Sequence, residues 1–199
     1  MSNMDNKKSE DFKFYLILMN ISKRQNFGAL LRSACGFGVS EVLAVGKRKL
    51  RTFGNKGTLP YISLTYYDTL EEVVEIVHAE EMDIVGIEIN ENSLPVYPHP
   101  FRRSTAFILG NEGTGLSQRQ IDICDYLVYI PMYGSGTASL NVAIAGSILF
   151  HHFALWAKFD ESHRTGQKYT LGEYLDKKSG QYIHGKLRHY LNPSPFGKF

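Results

Sequence analysis

Short apolar runs of strand length recur along the chain, and segments with helical periodicity stand between them. The runs are residues 14–19, 41–45, 83–89, 105–109 and 127–130. They are nearly continuous in apolar side chains, the pattern of a strand covered on both faces. Residues 26–37, 68–79 and 118–124 read as helices, and residues 139–158 as a longer one. In the second, Leu70, Val73, Val74 and Val77 share one face. A glycine- and lysine-rich loop is expected over residues 46–58. Pro95, Pro98 and Pro100 make residues 90–104 a loop as well. Strands separated by helices predict an α/β domain, a mostly parallel sheet flanked by helices.

Composition narrows the class further. With 199 residues and 43% hydrophobic side chains, there is apolar material for one sizeable core, so disorder throughout is excluded. Cys35 and Cys124 are the only cysteines, which excludes a disulfide scaffold. The most apolar run, residues 142–150, contains Gly146 and falls well short of the roughly 20 residues of a membrane-spanning helix. Residues 1–11 are polar and lack a signal-peptide core. The expectation is an intracellular protein with no membrane partner, placed in the cytoplasm with nucleus or organelle as the alternatives. Its organisation reads as a flexible N-terminus (residues 1–12), an α/β domain (13–159) and a basic, aromatic extension (160–199) with one or two short helices. Tyr169, Tyr174, Tyr182 and Tyr190 could stack on nucleic-acid bases, but the favoured expectation is that they pack that extension on the domain.

The net charge of +2 hides a strong asymmetry. Residues 1–60 hold 11 basic and 4 acidic side chains, residues 61–156 hold 3 and 12, and residues 157–199 hold 8 and 4. Basic ends flank an acidic middle, a distribution compatible with a polyanion partner despite the small total. Lys47, Arg48, Lys49, Arg51 and Lys56 form the densest basic stretch and are the candidate phosphate contacts.

Three segments carry chemistry. In Asn26-Phe27-Gly28-Ala29-Leu30-Leu31-Arg32, helical geometry of about 100° per residue gathers Phe27, Leu30, Leu31, Ala34 and Cys35 on one face. Arg32 then points away from the core, and Asn26, at the expected helix start, can cap the helix or face a ligand. In Phe107-Ile108-Leu109-Gly110-Asn111-Glu112-Gly113-Thr114-Gly115-Leu116, an apolar strand runs into a glycine turn bearing an acid. Ligands of α/β sheets bind at such strand ends, and the lysine of a P-loop is missing. In Ile130-Pro131-Met132-Tyr133-Gly134-Ser135-Gly136-Thr137-Ala138-Ser139-Leu140-Asn141, small residues lead into a helix that is apolar nearly all round, which predicts burial on every side. His151 and His152 are adjacent and do not share a helix face, so no metal is expected.

Taken together, these segments resemble the three motifs of the SpoU (TrmH-like) branch of the SPOUT methyltransferases. Asn-x-Gly-Ala-x-x-Arg resembles the first, Leu-Gly-Asn-Glu-Gly-x-Gly-Leu the second and Ile-Pro-Met-x-Gly-x-x-x-Ser-Leu-Asn-Val the third, in the same order. The resemblance spans about residues 14–159. It implies an α/β fold with a C-terminal trefoil knot, a homodimer, S-adenosyl-L-methionine as cofactor, and methyl transfer to a ribose 2′-hydroxyl of tRNA or rRNA. It implies catalytic roles for Asn26, Arg32, Glu112, Ser139 and Asn141. It also implies a cofactor pocket formed by Leu109, Gly110, Asn111, Gly113, Ile130, Met132, Ser139 and Leu140. The segment before Phe14 is too short for a separate RNA-binding domain, Gln25 stands where many relatives carry His or Pro, and the extension matches no motif. Two other classes compete with this reading. One is a knotted RNA-binding module with a vestigial pocket, which would not bind the cofactor. The other is a nucleotide-dependent oxidoreductase, suggested by Gly134 to Ser139, which would bind NAD instead.

Overall fold

The computed structural model describes residues 12–19, 24–46, 57–111, 113–175 and 182–184. Seven strands form one sheet: β1 (Phe14–Leu18), β2 (Glu41–Val45), β3 (Leu64–Tyr67), β4 (Asp83–Ile87), β5 (Leu94–Pro95), β6 (Thr105–Leu109) and β7 (Tyr126–Tyr129). Their order is β3-β2-β1-β6-β4-β7-β5, and every pairing is parallel. The helices are α1 (Arg24–Gly36), α2 (Leu70–Ala79), α3 (Gln118–Asp122) and α4 (Val142–Trp156). The expected α/β class is observed.

Strand periodicity explains the two cores. Phe14, Leu16 and Leu18 point to one face of β1, and Tyr15 and Ile17 to the other. On the first face they pack with Phe27, Leu30 and Leu31 of α1 and Leu149, Phe150 and Phe153 of α4. On the second, Tyr15 and Ile17 join Leu70, Val73 and Val77 of α2. The first core is rich in rings: Phe14 stacks on Phe150 at 5.3 Å between centroids, and Phe153 meets Phe107 edge-on at 5.4 Å. Such pairs add specificity to simple area burial. Helix α2 starts where its sequence says it should, with the Thr69 hydroxyl accepting the Glu72 N–H at 3.3 Å.

Several expectations need correction. Helix α1 begins at Arg24, so Asn26 sits inside its first turn and is not the cap; at 8% exposure it is buried. Helix α4 begins at Val142 with Asn141 as its N-cap, leaving Ser139 and Leu140 in the preceding loop. Nor is α4 buried on every side: Ile144 is 53% and Leu155 56% exposed. Strand β3 was not expected, because Leu64-Thr65-Tyr66-Tyr67 is half polar and only partly buried at the sheet edge. Strand β5 was not expected either; proline is tolerated at an edge because no ladder N–H is needed there. From Glu161 the chain forms a separate compact unit. Its described elements are two antiparallel strand pairs, Arg164–Thr165 with Lys168–Tyr169 and Glu173–Leu175 with Tyr182–His184; the strands were not expected, and the one or two short helices are not among the described residues. Thr and Tyr favour strands, and Gly166 supplies the positive φ that the first turn requires.

Among the described residues no helix is long and apolar enough to cross a membrane. Both cysteines are free thiols. Burial pushes the Cys35 thiol up, and burial with the Asp125 charge pushes Cys124 up to about 12.

Candidate active site

A cavity of about 300 Å³ opens over the carboxyl ends of three neighbouring strands, β6, β4 and β7. That is where ligands of open parallel sheets bind. Strand β4 supplies Ile87, with Glu88 and Ile89 following it. The glycine turn after β6 supplies Leu109, Gly110, Asn111, Gly113, Thr114 and Gly115. The segment after β7 supplies Ile130, Met132, Ser139 and Leu140, and α4 closes the wall with Val142 and Ala145. All eight positions expected to contact a cofactor line this one cavity. Glu88 and the rest of the β4 contribution were missed, since residues 83–89 read as uninterrupted strand. The signal was an acid at the end of an apolar run.

Backbone geometry shapes the turn. Asn111 and Gly115 exchange N–H···O bonds of 2.9 Å each way, and the Asn111 side chain accepts the Gly113 N–H at 2.9 Å. A Cβ on Gly110 would stand 2.3 Å from the Gly115 carbonyl carbon. The turn therefore folds back on Gly110 in a way only glycine allows.

The first and third motifs meet directly. The Asn141 Nδ2 donates to Asn26 Oδ1 at 3.1 Å, while Asn141 Oδ1 accepts the Ala143 N–H at 2.9 Å. One side chain thus caps α4 and ties it to α1. The Ser33 and Ser147 hydroxyls, 2.6 Å apart, tie the same helices further along. Ser139 lines the cavity; its N–H faces the Thr137 hydroxyl at 3.4 Å, and that hydroxyl donates to the Ser139 carbonyl at 2.9 Å. Arg32 is exposed on α1, as its helical phase predicts, and does not line the cavity. Tyr133, beside Met132, is 97% exposed. Glu112, Lys47, Arg48, Lys49, Arg51 and Lys56 lie outside the described residues.

A small cavity with carbonyls, N–H groups and apolar walls suits a nucleoside-type ligand. Among the described residues no group of three or more His, Cys, Asp or Glu side chains converges as metal ligands would.

Comparison with known proteins agrees with this geometry. The model of the SpoU rRNA Methylase family matches residues 13–151. A tRNA (guanosine(18)-2′-O)-methyltransferase of Escherichia coli K12 is 28% identical over 163 residues, covering 80% of this chain and 66% of that protein. A 23S rRNA (guanosine-2′-O-)-methyltransferase, RlmB, of Coxiella burnetii is 32% identical over 153 residues, covering 73% of this chain and 59% of that protein. The chain thus spans about three fifths to two thirds of the length of these relatives. The solved SpoU methyltransferase AviRb from Streptomyces viridochromogenes in complex with the cofactor AdoMet superposes with a TM-score of 0.64 at 25% identity, covering 76% of this chain and 60% of that chain. An A. aeolicus TrmH/SpoU tRNA modifying enzyme gives 0.65 at 22%, covering 74% of this chain and 76% of that chain.

Proposed function

The chain belongs to the SpoU rRNA Methylase family, and on that premise we propose that it transfers a methyl group from S-adenosyl-L-methionine to a ribose 2′-hydroxyl of tRNA or rRNA. The observation that carries this reading is the cavity itself, at the carboxyl ends of three parallel strands and built from the second and third motifs. The donor set fits the cofactor. Ile87, Leu109, Ile130 and Leu140 offer apolar walls, and the glycine turn offers backbone groups at close approach. When bound, S-adenosyl-L-methionine supplies an already activated methyl group.

What remains for the protein is positioning and proton removal. The cavity is assigned to holding the donor at the strand ends, and the segment 133–139, which is exposed, to bordering the entry of the ribose. Arg32 orients the hydroxyl and its neighbouring phosphate and stabilises the developing alkoxide. It does not act as a base, because a guanidinium is not deprotonated in proteins; as the oxygen–methyl bond forms and the sulfur–methyl bond breaks, the hydroxyl proton passes to solvent at this exposed face. Asn26 and Asn141 set the position of α1, and with it Arg32, against the end of α4 that borders the cavity. Glu112 is assigned to orienting Arg32 or Asn26, and Ser139 to the reacting end of the cavity. The basic stretch from Lys47 to Lys56 and the extension hold RNA phosphates, contacts that position RNA without reading its sequence.

The reading extends to a trefoil knot in the C-terminal part of the domain, to a homodimer and to a cytoplasmic site of action. Support for the dimer is the apolar surface that Ile144 and Leu155 leave on α4. The fold shared with SpoU methyltransferases supports the knot.

The test is methyl transfer from radiolabelled cofactor to tRNA and rRNA from the source organism. Wild type labels one of them, and Arg32→Ala and Asn26→Ala abolish or strongly reduce labelling. A folded wild type that labels neither RNA refutes the proposal. Mapping the 2′-O-methyl sites lost on gene deletion then names the target nucleotide.

A further inference from the structure

Glu88 is the only acidic side chain lining the cavity among the described residues. It stands one residue beyond the carboxyl end of β4, the strand that lies between β6 and β7. Its main chain is fixed on both sides: the N–H donates to the Val128 carbonyl at 3.1 Å, and the carbonyl accepts the Ser93 hydroxyl at 2.8 Å.

The carboxylate is seated as firmly. Oε2 accepts the Leu116 N–H at 2.8 Å. A Cβ on Gly115, whose φ is +70°, would stand 2.5 Å from the same oxygen. The acid therefore fits into a notch that the absent glycine side chain leaves, and braces the turn that forms one cavity wall. Oε1 accepts the N–H of its neighbour Ile89 at 3.2 Å. A carboxylate oxygen can accept twice, so Oε1 retains acceptor capacity on a side chain that lines the cavity.

An acid at the carboxyl end of a parallel strand, beside a glycine turn, is the arrangement by which open α/β sheets hold the hydroxyls of a ribose. In dinucleotide-binding folds the acid follows a different strand from the one before the glycine turn, and the same is true of Glu88 on β4 and the turn after β6. Resting on the S-adenosyl-L-methionine reading, we propose that Glu88 is a specificity-determining residue that accepts the ribose hydroxyls of the cofactor's adenosine. Oε2 is held by Leu116 and Oε1 receives the diol. The same contact couples the cofactor to the glycine turn, because the carboxylate bonded to the ribose is the one bonded to the turn.

The experiment is calorimetric titration of the full chain, wild type and Glu88→Gln, with S-adenosylhomocysteine and with its 2′,3′-dideoxy analogue. Loss of a hydrogen bond to a charged group weakens binding about 10- to 100-fold. Removing the diol should therefore cost wild type that factor. Glu88→Gln exchanges charge-assisted bonds for neutral ones, so it should bind S-adenosylhomocysteine more weakly and distinguish the two ligands less sharply than wild type. In turnover, its KM for S-adenosyl-L-methionine should rise while kcat is largely kept. If wild type binds both ligands equally, the proposal is overturned, and this comparison holds even where the variant fails to fold. If Glu88→Gln loses the same factor on both ligands, the carboxylate serves a cationic group or the turn alone, and the diol assignment is again overturned. A wild type that binds neither S-adenosylhomocysteine nor S-adenosyl-L-methionine refutes the cofactor reading itself, an outcome distinct from equal binding of both analogues.

Discussion

Replacing Asn141 separates two jobs that one side chain performs. Its Oδ1 caps α4 through the Ala143 N–H, and its Nδ2 reaches Asn26 on α1. Asn141→Ser keeps a good cap but is too short to span to Asn26; Asn141→Ala loses both. A lost cap costs about 1 kcal/mol, and a lost neutral hydrogen bond about another 1 kcal/mol. Asn141→Ser should therefore lose about 1 kcal/mol and Asn141→Ala about 2 kcal/mol, the sum of those contributions. In a chain of this size each step lowers Tm by roughly 2–4 °C. Denaturant titration measures both values, and a double-mutant cycle with Asn26→Ala isolates the helix–helix contact. That coupling should be at least about 0.5 kcal/mol, as for residues in contact. If methyl transfer depends on the position of α1, Asn141→Ser should lose activity well beyond its loss of folded protein at the assay temperature. Equal stability for the Ser and Ala variants, or a coupling near zero, would refute the dual role.

Other outcomes follow from the same geometry. Ile144→Asp and Leu155→Asp should leave the fold intact by circular dichroism yet shift the protein toward monomer in sedimentation velocity; unchanged association would remove the α4 face as the dimer surface. Gly110→Ala forces a Cβ to within 2.3 Å of the Gly115 carbonyl carbon, and overpacking of this kind costs about 1–3 kcal/mol; cofactor binding by calorimetry should be lost before global stability is. The His152 imidazole is held below its ordinary value by burial and then by the His99 and His151 charges. Its folded state thus resists protonation, so stability is full above the unfolded value of 6.5 and declines as pH falls through that value. His152→Gln should flatten the dependence of Tm on pH between about 7 and 5, and an unchanged slope would refute the assignment. Cys35 and Cys124 should resist iodoacetamide at neutral pH in the native protein and react once it is unfolded.

Much of this was legible in the sequence because it depends on local patterns. The apolar runs that became β1, β2, β4, β6 and β7 are covered on both faces and so carry continuous hydrophobicity. Strands β3 and β5 sit at the two edges of the sheet, where one flank needs no partner and the pattern dissolves into Thr, Tyr and Pro. The cavity was readable from the glycine turn and the segment before α4, since a backbone that must approach a ligand closely excludes side chains. Glu88 showed only as an acid at the end of an apolar run; what brings it to the cavity is β4 lying beside β6, a neighbour relation no local window contains. Asn26 was placed one turn wrong for a related reason. A buried amide bonded to a residue 115 positions away looks, in sequence, like an ordinary helix cap.

The cavity draws its wall from Ile87 at one extreme and Ala145 at the other, and this sets when in the life of the chain it comes into being. A nascent chain that has emerged only through β7 has its strands but not α4. Phe14 and Phe107 then lack Phe150 and Phe153, and no binding site exists. Parallel pairing between distant strands is slow to form, so this unfinished sheet is the species most exposed to aggregation during synthesis. Docking of α4 covers the phenylalanines and completes the pocket in one event. Cofactor binding during refolding should therefore appear only with the slowest burial phase, and a cofactor present from the start should trap finished molecules without hastening their arrival.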